Sequence, residues 1–125
     1  MEALAGLAYW PADTSQPVLE RTTGDLLREA ADDAGTHTAL IEVAPPGTPS
    51  LAGAEHTDRR WTYHELLAEA EQCAHWLLTR FSPGERITIW APNIPEWIIL
   101  QYGAALAGLI VVTANPALRA PELLG

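Results

Sequence analysis

The chain has 125 residues and a formal charge of −9 at pH 7, from 7 basic against 16 acidic residues. This acidic balance argues against nucleic acid or an anionic membrane surface as a partner. Every basic residue is arginine, so the chain has neither the lysine of a phosphate-binding loop nor a lysine nucleophile. The single cysteine, Cys73, excludes an internal disulfide.

The first residues do not resemble a signal peptide. Residue 2 is Glu2 and no basic residue precedes Arg21, so the apolar stretch 4–10 lacks the positively charged start that secretion signals require. We therefore expect a cytoplasmic protein. Residues 1–17 are predicted to be an N-terminal extension, and residues 18–125 to belong to one domain.

A first helix is predicted to begin at Thr22. Thr22 and Asp25 have the spacing of a capping box, in which each residue satisfies a free amide of the other. Gly35 is expected to end this helix. Its predicted buried side consists of Leu26, Leu27, Ala30, Ala31 and Ala34.

Two short strands are predicted around a long loop. Residues 39–43 are rich in strand-forming side chains, and residues 59–62 are expected to pair with them in an antiparallel arrangement. The intervening residues 44–58 contain three prolines and two glycines. We expect this segment to be an exposed loop, since turn residues dominate it.

A second helix is predicted from Thr62, where Thr62 and Glu65 again have capping-box spacing. Trp61 is expected to pack where the strand meets this helix. Cys73 falls on the apolar side and is interpreted as a packing thiol rather than a reactive one. The predicted apolar stripe is Leu66, Leu67, Ala70, Cys73, Ala74, Leu77, Leu78 and Phe81, and the polar residues outside it are Glu65, Glu69, Gln72 and Thr79.

The following residues predict a strand, a helix and a second strand. Residues 86–90 are a β-branched and aromatic run, and residues 110–114 are β-branched and apolar. Both are expected to be strands with side chains suited to burial on both faces. Asn93 is predicted to cap the intervening helix, with Glu96 completing the capping box and Gly108 ending the helix.

The spacing of these two strands predicts a parallel pair. One helical crossover separates them, and such connections are right-handed in about 98% of cases. The fold class is therefore α/β, with a right-handed β-α-β unit at residues 86–114 and an upstream antiparallel strand pair with its helices. The helix is expected to cover one face of what is an incomplete sheet.

One uncharged stretch, residues 97–118, is long enough to span a bilayer. Polar and helix-breaking residues such as Gln101, Asn115 and Pro116 interrupt it, and its second half resembles a strand. A buried helix joined to a buried strand explains the same hydropathy, so no transmembrane segment is predicted.

No catalytic signature occurs in the sequence. His64 and His75 are about three helical turns apart, too far to share a metal, and His37 and His56 are predicted to lie in loops. The serines, Ser15, Ser50 and Ser82, lie outside any glycine-flanked nucleophile elbow. Glu69 and Glu71 are interpreted as solvated charges. The chain also lacks a phosphate loop and a Gly-x-Gly-x-x-Gly run.

Five segments in fixed order nevertheless carry a specific resemblance. They are TTGDLL at 22–27, ALIEV at 39–43, RRWTYHELL at 59–67, PGERITIWAPNIPEWIILQYGAALAG at 83–108 and VVTANPALRAPEL at 111–123. Together they resemble the beginning of an AMP-forming acyl-CoA synthetase of the adenylate-forming superfamily, with the fatty-acyl-CoA synthetases most similar. The resemblance implies that the chain is the N-terminal portion of the large domain of such an enzyme.

The resemblance also implies what the intact enzyme does. Members condense a carboxylate with ATP to an acyl-adenylate, release pyrophosphate, and pass the acyl group to coenzyme A. A fatty or other apolar carboxylate is the expected substrate, with ATP, Mg2+ and coenzyme A as cofactors. The family's phosphate loop, adenine-side aromatic, ribose-binding aspartate and adenylation lysine all follow the Asn-Pro segment, so no catalytic, cofactor-binding or metal-binding residue is assigned here.

The residues that match family motifs in this chain are interpreted as scaffold positions that cap helices and shape turns. They are Asn93, Pro95, Glu96, Asn115 and Pro116. The end of the chain falls in the expected first turn of a helix opened by Pro121 and Glu122, so we expect a domain truncated at its C-terminus. The remainder of the synthetase chain would then be needed to complete the fold.

Two alternative hypotheses remain open. Under the first, the chain belongs to another adenylating enzyme, such as a peptide-synthetase adenylation domain. Under the second, it is a non-catalytic α/β interaction module with this fold. Sequence following residue 125 would distinguish the first, and independent folding of the 125 residues would favour the second.

Overall fold

A computed structural model describes residues 11–43 and 59–117 of the chain. The predictions for the loop at 44–58 and for the residues after 117 lie outside these ranges. Within them are the elements α1 (Thr23–Ala34), β1 (Thr38–Ile41), β2 (Arg60–Thr62), α2 (Tyr63–Leu78), β3 (Arg86–Ile89), α3 (Pro95–Leu106) and β4 (Ile110–Thr113).

Helix α1 begins with the predicted capping box. The Thr22 hydroxyl accepts from the Asp25 amide at 3.1 Å, and the Asp25 carboxylate accepts from the Thr22 amide at 3.1 Å. Leu27 and Ala31 are buried as predicted. The prediction for Leu26 is wrong, because its side chain is 49% exposed. Adjacent helical positions differ by about 100°, so Leu26 and Leu27 cannot both face a narrow contact.

Strands β1 and β2 form the predicted antiparallel pair. Leu40 lies opposite Trp61 and Ile41 opposite Arg60, with an irregularity in the register between Thr38 and Leu40. Trp61 is 6% exposed and lies at the junction of β2 and α2, as expected. The chain thus enters α2 directly from the strand.

Helix α2 also has the predicted capping box, between Thr62 and Glu65. Four residues of the predicted stripe are buried: Leu66, Ala70, Ala74 and Leu77. The prediction for Leu78 is wrong, since it is 46% exposed. It ends the helix immediately after Leu77 and therefore faces away from the contact that buries Leu77.

Strands β3 and β4 are parallel and in register, with Arg86 opposite Ile110 and Ile89 opposite Thr113. Helix α3 connects them, which confirms the β-α-β unit. Gly108 follows the end of α3 with φ of +70°, a left-handed conformation that an L side chain rarely adopts.

The predicted capping box of α3 is wrong. The N-cap is Ile94, which has no side chain able to accept an amide bond, and Pro95 is at the start of the helix. Asn93 therefore lies one residue outside the cap. The Glu96 carboxylate does not fold back onto the cap but accepts instead from Arg59.

The core consists of two neighbouring apolar clusters. The first joins α2 and α3 to the β3–β4 pair through Ala74, Leu77, Ile87, Ala104, Ala107 and Leu109. The second joins α1, β2 and α2 through Leu27, Trp61, Leu66 and Ala70. Within the described ranges, no helix is both long and apolar enough to cross a membrane.

Candidate functional site

The carboxyl ends of β3 and β4 form one edge, here called the carboxyl edge, where open α/β sheets usually bind ligands. Asn93 is exposed in the segment that follows β3. After β4, the Asn115 side-chain oxygen accepts from the Ala117 amide at 2.9 Å, which makes a local turn that includes Pro116. This contact satisfies a backbone amide, so Asn115 shapes the turn as expected.

A cluster of charged side chains connects this edge to the antiparallel hairpin. Arg59 Nε donates to Glu42 Oε2 at 2.6 Å, and Arg59 Nη1 donates to Glu96 Oε1 at 2.8 Å. The side chains of Arg59, Glu42 and Glu96 are 33%, 13% and 41% exposed. The two carboxylates raise the pKa of Arg59, chiefly through these hydrogen bonds, so its positive charge is permanent.

Trp61 contacts this charged cluster through Arg59 and connects it to α2. The Arg59 guanidinium lies 5.1 Å from the centre of the Trp61 ring, within the range of a cation–π contact. The Trp61 Nε1 donates to Glu69 Oε1 at 2.9 Å. Glu69 is exposed, as predicted, but its carboxylate has a specific structural partner. The cluster thus extends from α3 through β2 to α2.

Sequence reasoning did not predict this cluster. The Glu42 amide donates to the Arg59 carbonyl at 2.9 Å, so these residues are neighbours across the predicted antiparallel pair. A search for opposite charges across that pair would have found them. The contact of Arg59 with Glu96 depends on how the hairpin packs against the β-α-β unit, for which the sequence contains no local signal.

Cys73 lies between α2 and α3. A Cβ added at Gly103 would lie 2.7 Å from the Cys73 Sγ, so the thiol fills the space that the glycine leaves. Burial raises the pKa of the Cys73 thiol. A raised pKa disfavours the nucleophilic thiolate, which agrees with the prediction of a packing thiol.

Two further carboxylates of the described residues, Asp25 and Glu65, have shifted pKa values because they cap helices. Thr22 lowers the pKa of Asp25 through side-chain and backbone hydrogen bonds, and the Thr62 backbone and side chain do the same for Glu65. Both carboxylates are occupied as helix caps. In the described part of the chain, no group of three His, Cys, Asp or Glu residues could hold a metal ion.

An open, charged depression of about 310 Å³ lies along the start of α1. Its lining is Glu20, Arg21, Asp25, Arg28, Glu29 and Asp32. Arg21 pairs with Glu29 at 2.5 Å and Arg28 with Asp25 at 3.8 Å. Each arginine is therefore paired with a carboxylate at the surface, while the four acidic residues outnumber the two arginines. Exposed pairs of this kind contribute little to stability.

The described residues form an α/β arrangement with a parallel strand pair, and comparison with known proteins specifies the family. The family model described as "AMP-binding enzyme" matches residues 27–124. The chain therefore belongs to the AMP-binding enzyme family.

Curated relatives agree with this assignment. The medium-chain acyl-CoA ligase ACSF2, mitochondrial, of Homo sapiens is 31% identical over 121 residues, which are 96% of this chain and 18% of that protein. The corresponding protein of Macaca fascicularis gives the same values. The chain thus spans less than a fifth of the length of these relatives.

Solved structures show the same portion of the fold. A fatty acyl CoA synthetase of Mycobacterium tuberculosis matches with a TM-score of 0.68 and 33% identity, over 82% of this chain and 18% of that one. A complex of VinN with 3-methylaspartate matches with a TM-score of 0.63 and 27% identity, over 79% of this chain and 24% of that one. The chain has the fold of the N-terminal portion of adenylate-forming enzymes.

Proposed function

We propose that the chain is the N-terminal part of an ATP-dependent acyl-CoA synthetase that acts on a fatty or other apolar carboxylic acid. In the reaction, a carboxylate oxygen attacks the α-phosphorus of ATP, pyrophosphate leaves, and the thiol of coenzyme A then displaces AMP from the acyl carbon. The supporting observation is the family match over residues 27–124. The relatives named as medium-chain acyl-CoA ligases favour the apolar substrate.

ATP, Mg2+ and coenzyme A are the proposed cofactors of the intact enzyme, and the residues described here do not fit their sites. Mg2+ and triphosphate require converging carboxylates and free cations. The charged cluster described above has its carboxylates turned toward Arg59, and Asp25 and Glu65 cap helices. We therefore assign the catalytic, cofactor-binding and metal-binding groups to sequence outside this chain.

The experiment that tests this proposal is carboxylate-dependent exchange of pyrophosphate into ATP. It compares the 125-residue chain with the product of the complete reading frame, here called the full-length protein. The full-length protein should catalyse exchange with medium-chain fatty acids, and the 125-residue chain should not. Exchange by the 125-residue chain above a protein-free control would contradict the assignment of the site, and inactivity of the full-length protein with every acid would contradict the function.

An amino acid is the alternative carboxylate. The similarity to VinN, solved in complex with 3-methylaspartate and with L-aspartate, favours it. Under this alternative the protein would be an adenylating enzyme of the peptide-synthetase type. Exchange with amino acids and none with fatty acids would establish it and exclude the first proposal.

Residues 1–17 are proposed to be an N-terminal extension and residues 18–125 to be part of the synthetase N-terminal domain. We also propose a cytoplasmic location, although relatives are named as mitochondrial. The sequence argument is that no basic residue precedes Arg21. Cell fractionation of the tagged full-length protein tests this, and recovery in an organelle fraction would overturn it.

A further inference from the structure

Arg59 occupies the place where the two small sheets approach each other. It directly precedes β2, its partner Glu42 directly follows β1, and its other partner Glu96 lies in the first turn of α3. Residues 90–94 connect the end of β3 to that turn. One guanidinium therefore joins the antiparallel hairpin to the segment that leaves the carboxyl end of β3.

We propose that Arg59 is a positioning residue that holds residues 90–94 and the start of α3 against the hairpin. Because ligands of open α/β sheets bind outside the carboxyl ends of the strands, Arg59 thereby sets the position of one wall of the ligand site. The effect of Arg59 on the position of residues 90–94 does not depend on the function of the protein. Its effect on ligand binding rests on the adenylating function proposed above.

The geometry of Arg59 is over-determined. Its two donors reach different carboxylates at 2.6 and 2.8 Å, and its planar face lies over the ring of Trp61. Trp61 is itself fixed by burial and by its bond to Glu69. A rigid fork held in this way specifies direction as well as distance, which a flexible lysine would not do.

The contribution of the cluster to global stability should be small. All three side chains are partly exposed, and water screens such pairs. In addition, Glu96 Oε2 is shielded from solvent and has no hydrogen-bond partner among residues 11–43 and 59–117. This oxygen carries a desolvation cost that offsets part of the attraction. The main effect of the cluster is therefore on local position.

Removing the cation should displace the segment rather than unfold the domain. Without Arg59, the carboxylates of Glu42 and Glu96 lose the cation that both contact, and the two like charges then repel each other. The start of α3 is the more movable partner, since its N-cap has no side-chain hydrogen bond. Residues 90–97 should consequently open more often.

Peptide-resolved hydrogen exchange of the full-length protein tests this proposal. The amides that report on the start of α3 are those of residues 97–101, since Trp97 donates to Ile94 and the following amides bond within the helix. Arg59→Met should accelerate exchange in peptides covering residues 97–101 about tenfold or more, the size expected for a lost charge-assisted bond. The thermal midpoint should stay at the wild-type value. Arg60→Met is the matched control, because Arg60 is the next residue, is exposed and forms no ion pair within the described ranges. It should leave exchange unchanged.

Two further variants separate positioning from a general loss of structure. Arg59→Met combined with Glu96→Gln should recover part of the protection, because the repulsion is removed. Arg59→Lys should give intermediate exchange, since it keeps the charge but loses the fork. Unchanged exchange at residues 97–101 in Arg59→Met would overturn the proposal, and so would equal acceleration along the whole chain with a lower thermal midpoint.

If Arg59→Met does not accumulate as folded protein, Glu96→Gln tests the same contact. It should accelerate exchange over residues 97–101, and normal protection there would overturn the proposal. These results do not depend on catalysis. A full-length protein that lacks pyrophosphate exchange with every acid would refute the proposed function alone, and the exchange pattern would still decide the role of Arg59.

Discussion

Both faces of the β3–β4 pair contain apolar residues, but the two faces differ in composition and in burial. On the inner face, Ile87 and Ile89 are 8% and 3% exposed, and α2 and α3 pack against Ile87. On the outer face, Ile110 and Val112 of β4 are 45% and 43% exposed, and the β3 residues opposite them, Arg86 and Thr88, are exposed and polar. Of the two strands, only β4 has apolar residues on both faces, as is typical of a strand in a sheet covered on both sides. Strand β4 is therefore suited to a larger sheet than the described residues form.

The exposed outer face has an energetic consequence. At about 25 cal/mol per Å² of apolar area, a few hundred Å² left uncovered forfeits several kcal/mol. The total stability of a domain of this size is only about 5–15 kcal/mol. The inner face should therefore behave as a core in any context, whereas the outer face should do so only when the rest of the enzyme covers it.

The largest effect is expected from the inner core. Leu77 is 2% exposed and belongs to the same cluster as Ile87. Leu77→Ala should lower the free energy of opening of α2 by about 2–5 kcal/mol, because a cavity replaces the side chain. Leu78→Ala is the control and should change it by less than about 0.5 kcal/mol. Hydrogen exchange of α2 in the full-length protein measures both, and equal effects would contradict the assignment of the core.

A smaller effect is expected where α2 and α3 make their close contact. A Cβ at position 103 would lie 2.7 Å from the Cys73 Sγ and 3.1 Å from the Ala70 carbonyl oxygen. Gly103→Ala should therefore destabilise the packing of α2 against α3 by about 1–3 kcal/mol, although alanine has a better helix propensity than glycine. Gly84→Ala probes a site where added atoms meet nothing within 4 Å but φ is +89°. Thermal unfolding of the full-length protein measures the change in stability for both variants. Stabilisation by Gly103→Ala would refute the close contact between α2 and α3.

The contribution of the helix caps to stability should not depend on whether the outer face of β3–β4 is covered. Thr62→Ala removes the hydroxyl that accepts from the Glu65 amide at 3.2 Å. The expected loss is about 0.5–2 kcal/mol, as for other N-caps. Thr79→Ala is a control at the other end of α2. Fraying of the first turn, followed by hydrogen exchange, should increase only in Thr62→Ala, and unchanged protection would show that the cap does not hold this turn.

The smallest effect is the pH dependence of these caps. The pKa values of Asp25 and Glu65 are lowered in the folded chain. A carboxylate with a lowered pKa in the folded chain contributes stability that is present above its unfolded pKa of about 4 and is lost as pH falls through the folded pKa. The thermal midpoint should thus decline on acidification below about pH 4. Asp25→Asn should weaken this decline, and an unchanged profile would exclude its contribution.

Local sequence signals predicted most of the elements but not their mutual packing. The capping boxes at Thr22 and Thr62 and the parallel β3–β4 pair are confirmed, because each depends on residues close in sequence or on a standard crossover. The Asn93 cap is wrong since the helix begins one residue later, after Ile94.

The site itself was less accessible to sequence reasoning. Helical periodicity places Leu26 and Leu78 on buried faces, because periodicity does not give the width of a helix contact. The bond between Arg59 and Glu96 joins residues far apart in the chain, so it appears only when the two units are packed together. The sequence predicts the antiparallel hairpin and the β-α-β unit separately. The charged cluster depends on how these two parts pack against each other.

The central claim is that the outer face of β3–β4 is completed by the rest of an adenylate-forming enzyme. Binding of a dye specific for exposed apolar surface, measured together with the size distribution, tests it most directly. The 125-residue chain should bind dye and aggregate, while the full-length protein should do neither. A monodisperse 125-residue monomer that unfolds cooperatively and binds no dye would contradict the claim and favour an independent interaction module.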